Sequence, residues 1–260
     1  MPNPQVWRLI PLLQAPGKVQ MALDRWLLQQ HQQQKHPPTL RFYTWSPVAI
    51  SLGYHQHQYP SDWHELTWQG QGIDLVRRPT GGRAVLHQGD LTYMVVTSGI
   101  PGRRVEVYEK ICEFLIQGWR SLGINLDYGN AGRGYIKNPN CFGTATGADL
   151  VSAEGDKLIG SAQLRQGKAI LQHGSIILSR DRELFNQVFG TAAPRNSELL
   201  INQEGDKLIP KVVEALTEAA ISCFGIKLVE GPLSSHEWEE ILGEDNHDKP
   251  VVGGDYHQLN

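Results

Sequence analysis

Residues 148–178 read ADLVSAEGDKLIGSAQLRQGKAILQHGSIIL, and the punctuation of this stretch decides the fold. Three strand-like runs, ADLVSA, KLIGSAQLR and AILQHGSIIL, follow one another with only Glu154-Gly155-Asp156 and Gln166-Gly167-Lys168 between them. Loops so short, each built around a glycine, are hairpin turns. The runs are therefore antiparallel neighbours, a meander. A dinucleotide-binding unit is excluded, because its parallel strands need helical crossovers.

Just upstream, residues 134–146 (GYIKNPNCFGTAT) are rich in turn residues and carry Cys141 between Asn138-Pro139-Asn140 and Phe142-Gly143. The other two cysteines, Cys112 and Cys223, fall on the apolar stripes of helices expected over 105–122 and 209–223, where a free thiol behaves as a small inert hydrophobe. A thiol on a loop is better placed to attack a substrate, provided that a cation or a histidine stabilises its thiolate. Lys157 opens the second run of the meander and is followed by the small residues Gly160-Ser161-Ala162, which let a ligand come close. Without such a ligand, a lysine at a strand end is only a solvated charge.

Further upstream, Val76 to Val96 reads VRRPTGGRAVLHQGDLTYMVV. Arg77, Arg78 and Arg83 place fixed cations around Gly81-Gly82, where the main chain turns sharply, which suggests the rim of a pocket. The bland reading is a tight turn with solvated arginines. Leu91 to Thr97 is apolar on both faces, as a strand covered on both sides should be.

The remaining chain supplies a first strand at 5–13 and an amphipathic helix over 19–30 through Val19, Ala22, Leu23, Trp26 and Leu27. Two short strands meet at Ser46-Pro47, and residues 63–72 read as a helix or irregular turn. Residues 181–205 carry few signals, and the polar end reads as a C-terminal helix with a loose tail. Hairpin-joined strands with helices segregated from them define an α+β domain on a mostly antiparallel central sheet with flanking helices. The expected division is a catalytic domain over 1–230 and the helix and tail over 231–260.

With 40% hydrophobic and 20% charged residues in 260, the chain has the make-up of an ordinary globular protein able to bury a large core. A net charge of -3 gives no reason to expect nucleic acid or an anionic membrane as partner. No apolar run approaches the roughly 18 residues needed to span a bilayer, so a cytoplasmic location is expected. An odd three cysteines at unequal spacings suggest neither a disulfide framework nor a zinc site. His55 and His57 form the closest histidine pair but lack a Cys or carboxylate in register, and no metal is expected.

RRPTGGRAVLH at 77–87, GDKLIGSAQ at 155–163 and ILQHGSIIL at 170–178 resemble the lipoate protein ligase and octanoyltransferase superfamily, related in fold to biotin protein ligases. MALDRWLL at 21–28, and LRFYTWSP with ISLGY within 40–54, extend the likeness over nearly everything up to about residue 230. It implies a biotin/lipoate protein ligase-like catalytic domain, of class II aminoacyl-tRNA synthetase-like architecture. ATP-dependent lipoate ligases typically carry an Asn-Asp pair where this chain has Cys141-Phe142, and the biotin ligase GRGRxG loop is absent. The chain is thus most similar to the Cys-Lys octanoyl-[acyl carrier protein]:protein N-octanoyltransferase group. Asp90 stands where relatives commonly have Glu.

That resemblance implies protein lipoylation without a cofactor. Octanoate passes from octanoyl acyl carrier protein to Cys141, then to a lysine of a lipoyl-domain protein, such as a glycine-cleavage carrier or a dehydrogenase acyltransferase subunit. Lys157 would hold the thiolate and move the proton. Arg77, Arg78, Thr80, Gly81, Gly82, Arg83, Ala84 and His87 on one side would line the substrate site. Gly160, Ser161, Ala162, His173, Gly174 and Ser175 would line the other. The main-chain amides of either Gly81-Gly82 or Gly160 to Ala162 would form the oxyanion hole, and both sets stay open. His87 and His173 are expected to be structural, and the acyl tunnel to be walled by Leu91 to Thr97 and the meander. Arg103-Arg104, with Arg77 and Arg78, is either a dock for the acidic carrier or plain solvated surface. The alternatives are an ATP-dependent lipoate ligase with Cys141 idle, and a non-catalytic acyl- or carrier-binding module.

Overall fold

The computed structural model describes residues 4–129, 149–193 and 207–244. Its first half runs β1 (Gln5–Ala15), α1 (Gly17–Gln32), β2 (Thr39–Trp45), β3 (Ala49–Leu52), β4 (Thr67–Trp68), β5 (Gln71–Gly72), β6 (Asp74–Arg77), β7 (Val85–His87) and β8 (Asp90–Ser98). There follow α2 (Arg104–Ser121), β9 (Leu126–Tyr128), β10 (Asp149–Ser152), β11 (Lys157–Gln166), β12 (Ala169–Ile177), α3 (Arg182–Phe189), α4 (Leu208–Phe224), β13 (Ile226–Glu230) and α5 (Ser235–Glu244).

The meander is present as read. β11 pairs antiparallel with β12 from Ile159↔Ile176 to Gln166↔Ala169, and with β10 through Asp149↔Gly160. Its two turns work because Gly155 and Gly167 take φ of 83° and 59°, where a side chain would be strained. The full sheet has eight strands in the order β13-β1-β2-β8-β12-β11-β10-β9. β1 lies parallel to both of its neighbours, and the pairings from β2 to β9 are antiparallel.

β8 is covered on both sides, for a reason visible in its alternation. Leu91, Tyr93 and Val95 face a core shared with α2 and α4, while Met94 and Val96 face a second core under α1. Helix α5 closes that second core: Ile241 is buried in it, Trp238 packs against it, and Trp26 Nε1 donates to Glu240 Oε2 at 3.0 Å. Arg8 on β1 also pairs with Glu237 of α5. The described residues contain no helix long and apolar enough to cross a membrane.

A smaller sheet, β6-β3-β7, carries the diglycine loop. β6 and β7 flank β3, so the loop joining them must pass over the end of β3. Gly53 allows this: a Cβ there would stand 1.8 Å from the Gly82 carbonyl oxygen. The amide of Tyr54 then donates to Thr80 O at 2.8 Å. Residues 61–72 hold a one-turn 3-10 helix and the β4–β5 hairpin, the irregular form of the two expected there. Helix α3 lies in a segment that carried few signals. It is capped by Asp181, which accepts from Leu184 N at 2.9 Å, and by the left-handed Gly190.

Candidate active site

A pocket of about 460 Å³ of empty space, counting its open mouth, lies between the diglycine loop and the meander. Gly81 and Gly82 form one lip, and Gly160, Ser161 and Ala162 of β11 form the facing wall. His173, Gly174 and Ser175 of β12 continue that wall. Gly174 has no room for a side chain on the far face of the sheet, where a Cβ would meet Ser161 Oγ at 2.5 Å and the Tyr93 ring at 2.7 Å. The opposite, mostly apolar side is built by Met21, Tyr43, Trp45 and Val85. Of the strand expected to wall the tunnel, Thr92 alone reaches it. Its neighbours on either side of the pleat are spent on the two cores.

Lys157 is placed against this wall. Its side chain is 3% exposed and its Nζ is 2.8 Å from Asp149 Oδ1. It also lies across Gly160, where a Cβ would fall 2.9 Å from Cε and 3.0 Å from Nζ. An ammonium so enclosed requires a carboxylate beside it, and Asp149 meets that need as the first residue of β10. Lys157 is therefore not a solvated strand-end charge.

Behind the lip, two chains of buried polar groups fix the loop. In one, Arg41 Nη2 donates to Asp24 Oδ1 at 2.6 Å, His173 Nδ1 lies 2.7 Å from Asp24 Oδ2, and His173 Nε2 lies 2.7 Å from Thr80 Oγ1. In the other, His87 joins Asp90 Oδ2 and Ser51 Oγ, each at 2.8 Å, while its ring stacks on Trp45. Arg78 donates to Ser51 O at 2.8 Å, Gly81 O at 2.9 Å and Arg83 O at 2.7 Å. Both imidazoles are thus braces between a carboxylate and the loop region.

Burial alone would raise the Asp24 pKa, but the Arg41 guanidinium and the His173 contact outweigh it and hold the carboxyl below its usual range. Burial pushes His173 down against the pull of Asp24. A neutral His173 donates from Nδ1 to Asp24 and accepts the Thr80 hydroxyl at Nε2. Burial lifts the Cys112 thiol to about 12, as fits the inert role expected for it.

Of the residues expected to line the site, Arg78, Gly81, Gly82, His87, Gly160 to Ala162 and His173 to Ser175 do so. Thr80 lies behind the lip, bonded to His173. Arg77 points away from the pocket and donates to Gly53 O and Gln56 O, each at 2.8 Å. Ala84 is buried in the small-sheet core, and Arg83 offers its carbonyl to Arg78. Cys141 lies outside the described residues. The sequence reading assigned no role to Asp24, Arg41, Ser51 or the aromatic pair Tyr43 and Trp45. Asp24 had a signal: it sits among the apolar residues of α1, where a carboxylate demands a buried partner. No group of three His, Cys, Asp or Glu among the described residues is placed to hold a metal.

An apolar pocket with a buried lysine–carboxylate pair beside it, set on the β-meander of this sheet, is the arrangement of a lipoate-ligase-like catalytic domain. A T. acidophilum protein assigned as a lipoate protein ligase, with bound lipoic acid, superposes with a TM-score of 0.72 at 25% identity, over 91% of this chain and 93% of that one. Lipoate-protein ligase A bound with ATP shares the fold at a TM-score of 0.69 and 24% identity, over 91% and 92%. The chain belongs to the family described by the lipoyl protein ligase A/B catalytic domain, which matches residues 16–220. Curated relatives include the octanoyltransferase LipM of Kyrpidia tusciae, 36% identical over 90% of this chain and 93% of its own, and that of Bacillus subtilis, 39% identical over 71% and 70%.

Proposed function

We propose that this chain is a cytoplasmic octanoyltransferase that takes an octanoyl group from acyl carrier protein onto Cys141 and passes it to a lysine of a lipoyl-domain protein. In the first half-reaction the Cys141 sulfur attacks the thioester carbonyl, a tetrahedral oxyanion forms, and the carrier thiol leaves with a proton. In the second, the acceptor amine attacks the Cys141 thioester, the amide forms, and the sulfur regains a proton. Thioester exchange is nearly isoenergetic and amide formation from a thioester is downhill, so neither half needs a nucleotide.

The observation that carries this reading is the Lys157 ammonium, fixed by Asp149 against the Gly160 wall of an apolar pocket. A cation held there offsets the negative charge of a thiolate and can hand the proton to each leaving group. In the sequence Cys141 precedes Asp149, the partner of Lys157, by eight residues. Both candidate oxyanion donor sets, Gly81-Gly82 and Gly160 to Ala162, border the same space.

The test is the intact mass of the protein after mixing with octanoyl acyl carrier protein in the absence of nucleotide. An octanoyl adduct that Cys141→Ala abolishes, and that a lipoyl domain discharges, is the expected result. Strict dependence on ATP and free octanoate, with no adduct, makes the chain a ligase instead. No adduct and no transfer under either condition makes it a binding module.

A further inference from the structure

Beside the pocket mouth runs a second, wider groove of about 1590 Å³ of empty space, open to solvent. Arg25 of α1, Arg77 of β6, Arg78 of the loop, Arg104 at the start of α2 and Arg165 of β11 all line it, and among the described residues no Asp or Glu does. The chain as a whole has 24 basic and 27 acidic residues, so this one-sided surface runs against the overall charge. Arg77 is fixed by the Gly53 and Gln56 carbonyls, so its charge is held in place. Arg165 Nε is held by Gln163 Oε1 at 3.2 Å, and its Nη2 is buried with no acceptor among the described residues.

Two further features fit a protein partner better than a small anion. Tyr54, 55% exposed, lines the groove together with Leu28, Pro79 and Leu164. Arginine and tyrosine around an apolar floor are the residues enriched at protein interfaces. The groove is also several times the size of the acyl pocket, far more than a single phosphate fills. It shares Arg78 and Gly81 with that pocket, so a partner lying in it has its edge at the acyl entrance.

We infer that this groove docks the acidic face of the carrier protein that delivers the acyl thioester, an inference that rests on the acyl-enzyme reading above. Charges of one sign bordering an entrance act through encounter and orientation, so they serve a protein-borne donor and not the acyl chain itself.

The experiment measures octanoylation of Cys141 by intact mass from two donors, octanoyl acyl carrier protein and the small uncharged thioester octanoyl-N-acetylcysteamine. The variants are Arg25→Glu, Arg104→Glu and the pair. Both side chains are exposed, and Glu in the first turn of α2 suits the helix dipole. The double variant is expected to lose about tenfold or more in kcat/KM with the carrier and to stay within about twofold with the small thioester. Added salt should slow the wild type with the carrier and leave the double variant little changed.

An equal loss with both donors overturns the inference, because the arginines then act on the pocket or the fold. No loss with either donor overturns it too. Normal acylation by the carrier, with slowed transfer from preformed acyl-enzyme to a lipoyl domain, assigns the groove to the acceptor and also overturns it. A wild type that takes octanoate from neither donor refutes the acyl-enzyme reading and this inference with it.

Discussion

The ammonium of Lys157 stands 2.8 Å from Asp149 Oδ1, and both side chains are nearly sealed from water. Removing one partner strands the other charge in a low-dielectric site, at about 3–5 kcal/mol, whereas removing both can be nearly neutral. Asp149→Asn is therefore expected to lower the urea midpoint sharply, and Lys157→Met added to it to recover most of the loss. Simple additivity of the two single losses in the cycle would refute the pairing.

Gly160 and Gly174 predict opposite outcomes for the same change. An alanine Cβ at 160 presses on the end of Lys157, which needs only a small shift and can make it without leaving Asp149. The fold should therefore lose under about 1 kcal/mol, far less than when that pair is broken. The displaced ammonium should cost about tenfold or more in acyl-enzyme formation, a misplacement effect. At 174 the Cβ meets the Gly160 carbonyl oxygen and the Tyr93 ring, each at 2.7 Å, neither of which is a loose chain end. Gly174→Ala should lose about 1–3 kcal/mol by overpacking. Thermal melts beside initial rates separate the two, and a Gly160→Ala enzyme with unaltered rates would refute the role given to Lys157.

Local chemistry made the first of these glycines legible, and distance hid much else. Hairpin turns, the two-sided apolar run of β8 and the lysine beside Gly160-Ser161-Ala162 are written in neighbouring residues. The site's bracing is not: Asp24 and His173 are 149 residues apart, and nothing near either names the other. The parallel pairing of β1 with β13 joins the two ends of the described chain and likewise has no local signal. Helix α3 is different, because Asp181 and Gly190 are ordinary start and stop residues that flanked it in plain view.

The His173 brace predicts a pH dependence of stability. Asp24 favours charge on the ring, but burial, with Arg78 and His87 nearby, keeps its pKa below the ordinary 6.5 in the folded protein. The unfolded chain takes up that proton first as pH falls, so stability present above about 6.5 declines on acidification toward the lowered folded value. Asp24 acts in the same direction in stronger acid, since its folded carboxyl is lowered from 3.8. Between pH 7.5 and 5.5 the His173 contribution makes stability fall on acidification, with a slope below the one-proton limit of about 1.4 kcal/mol per pH unit. His173→Gln, unable to titrate, should show a flatter urea-derived stability over that range. A slope as steep as that of the wild type would exclude His173 as its source.

Helix α5 bears on where the folding unit ends. Its Ile241 is 1% exposed and sits in the core that β8 shares with α1, and the Arg8–Glu237 pair ties the same helix to β1. A buried isoleucine cut to alanine loses about 2 kcal/mol or more wherever its neighbours cannot collapse into the space. If residues 231–244 fold with the sheet, Ile241→Ala shifts the whole urea transition, and β-sheet circular dichroism and tryptophan fluorescence move together. If that helix is a separate appendage, as a boundary at 230 would have it, the variant frays early while the sheet midpoint stays where it was. The buried contacts of Trp26 and Ile241 favour the first result, because losing α5 would expose the inward face of α1 on which Asp24, and through it the diglycine lip, depends.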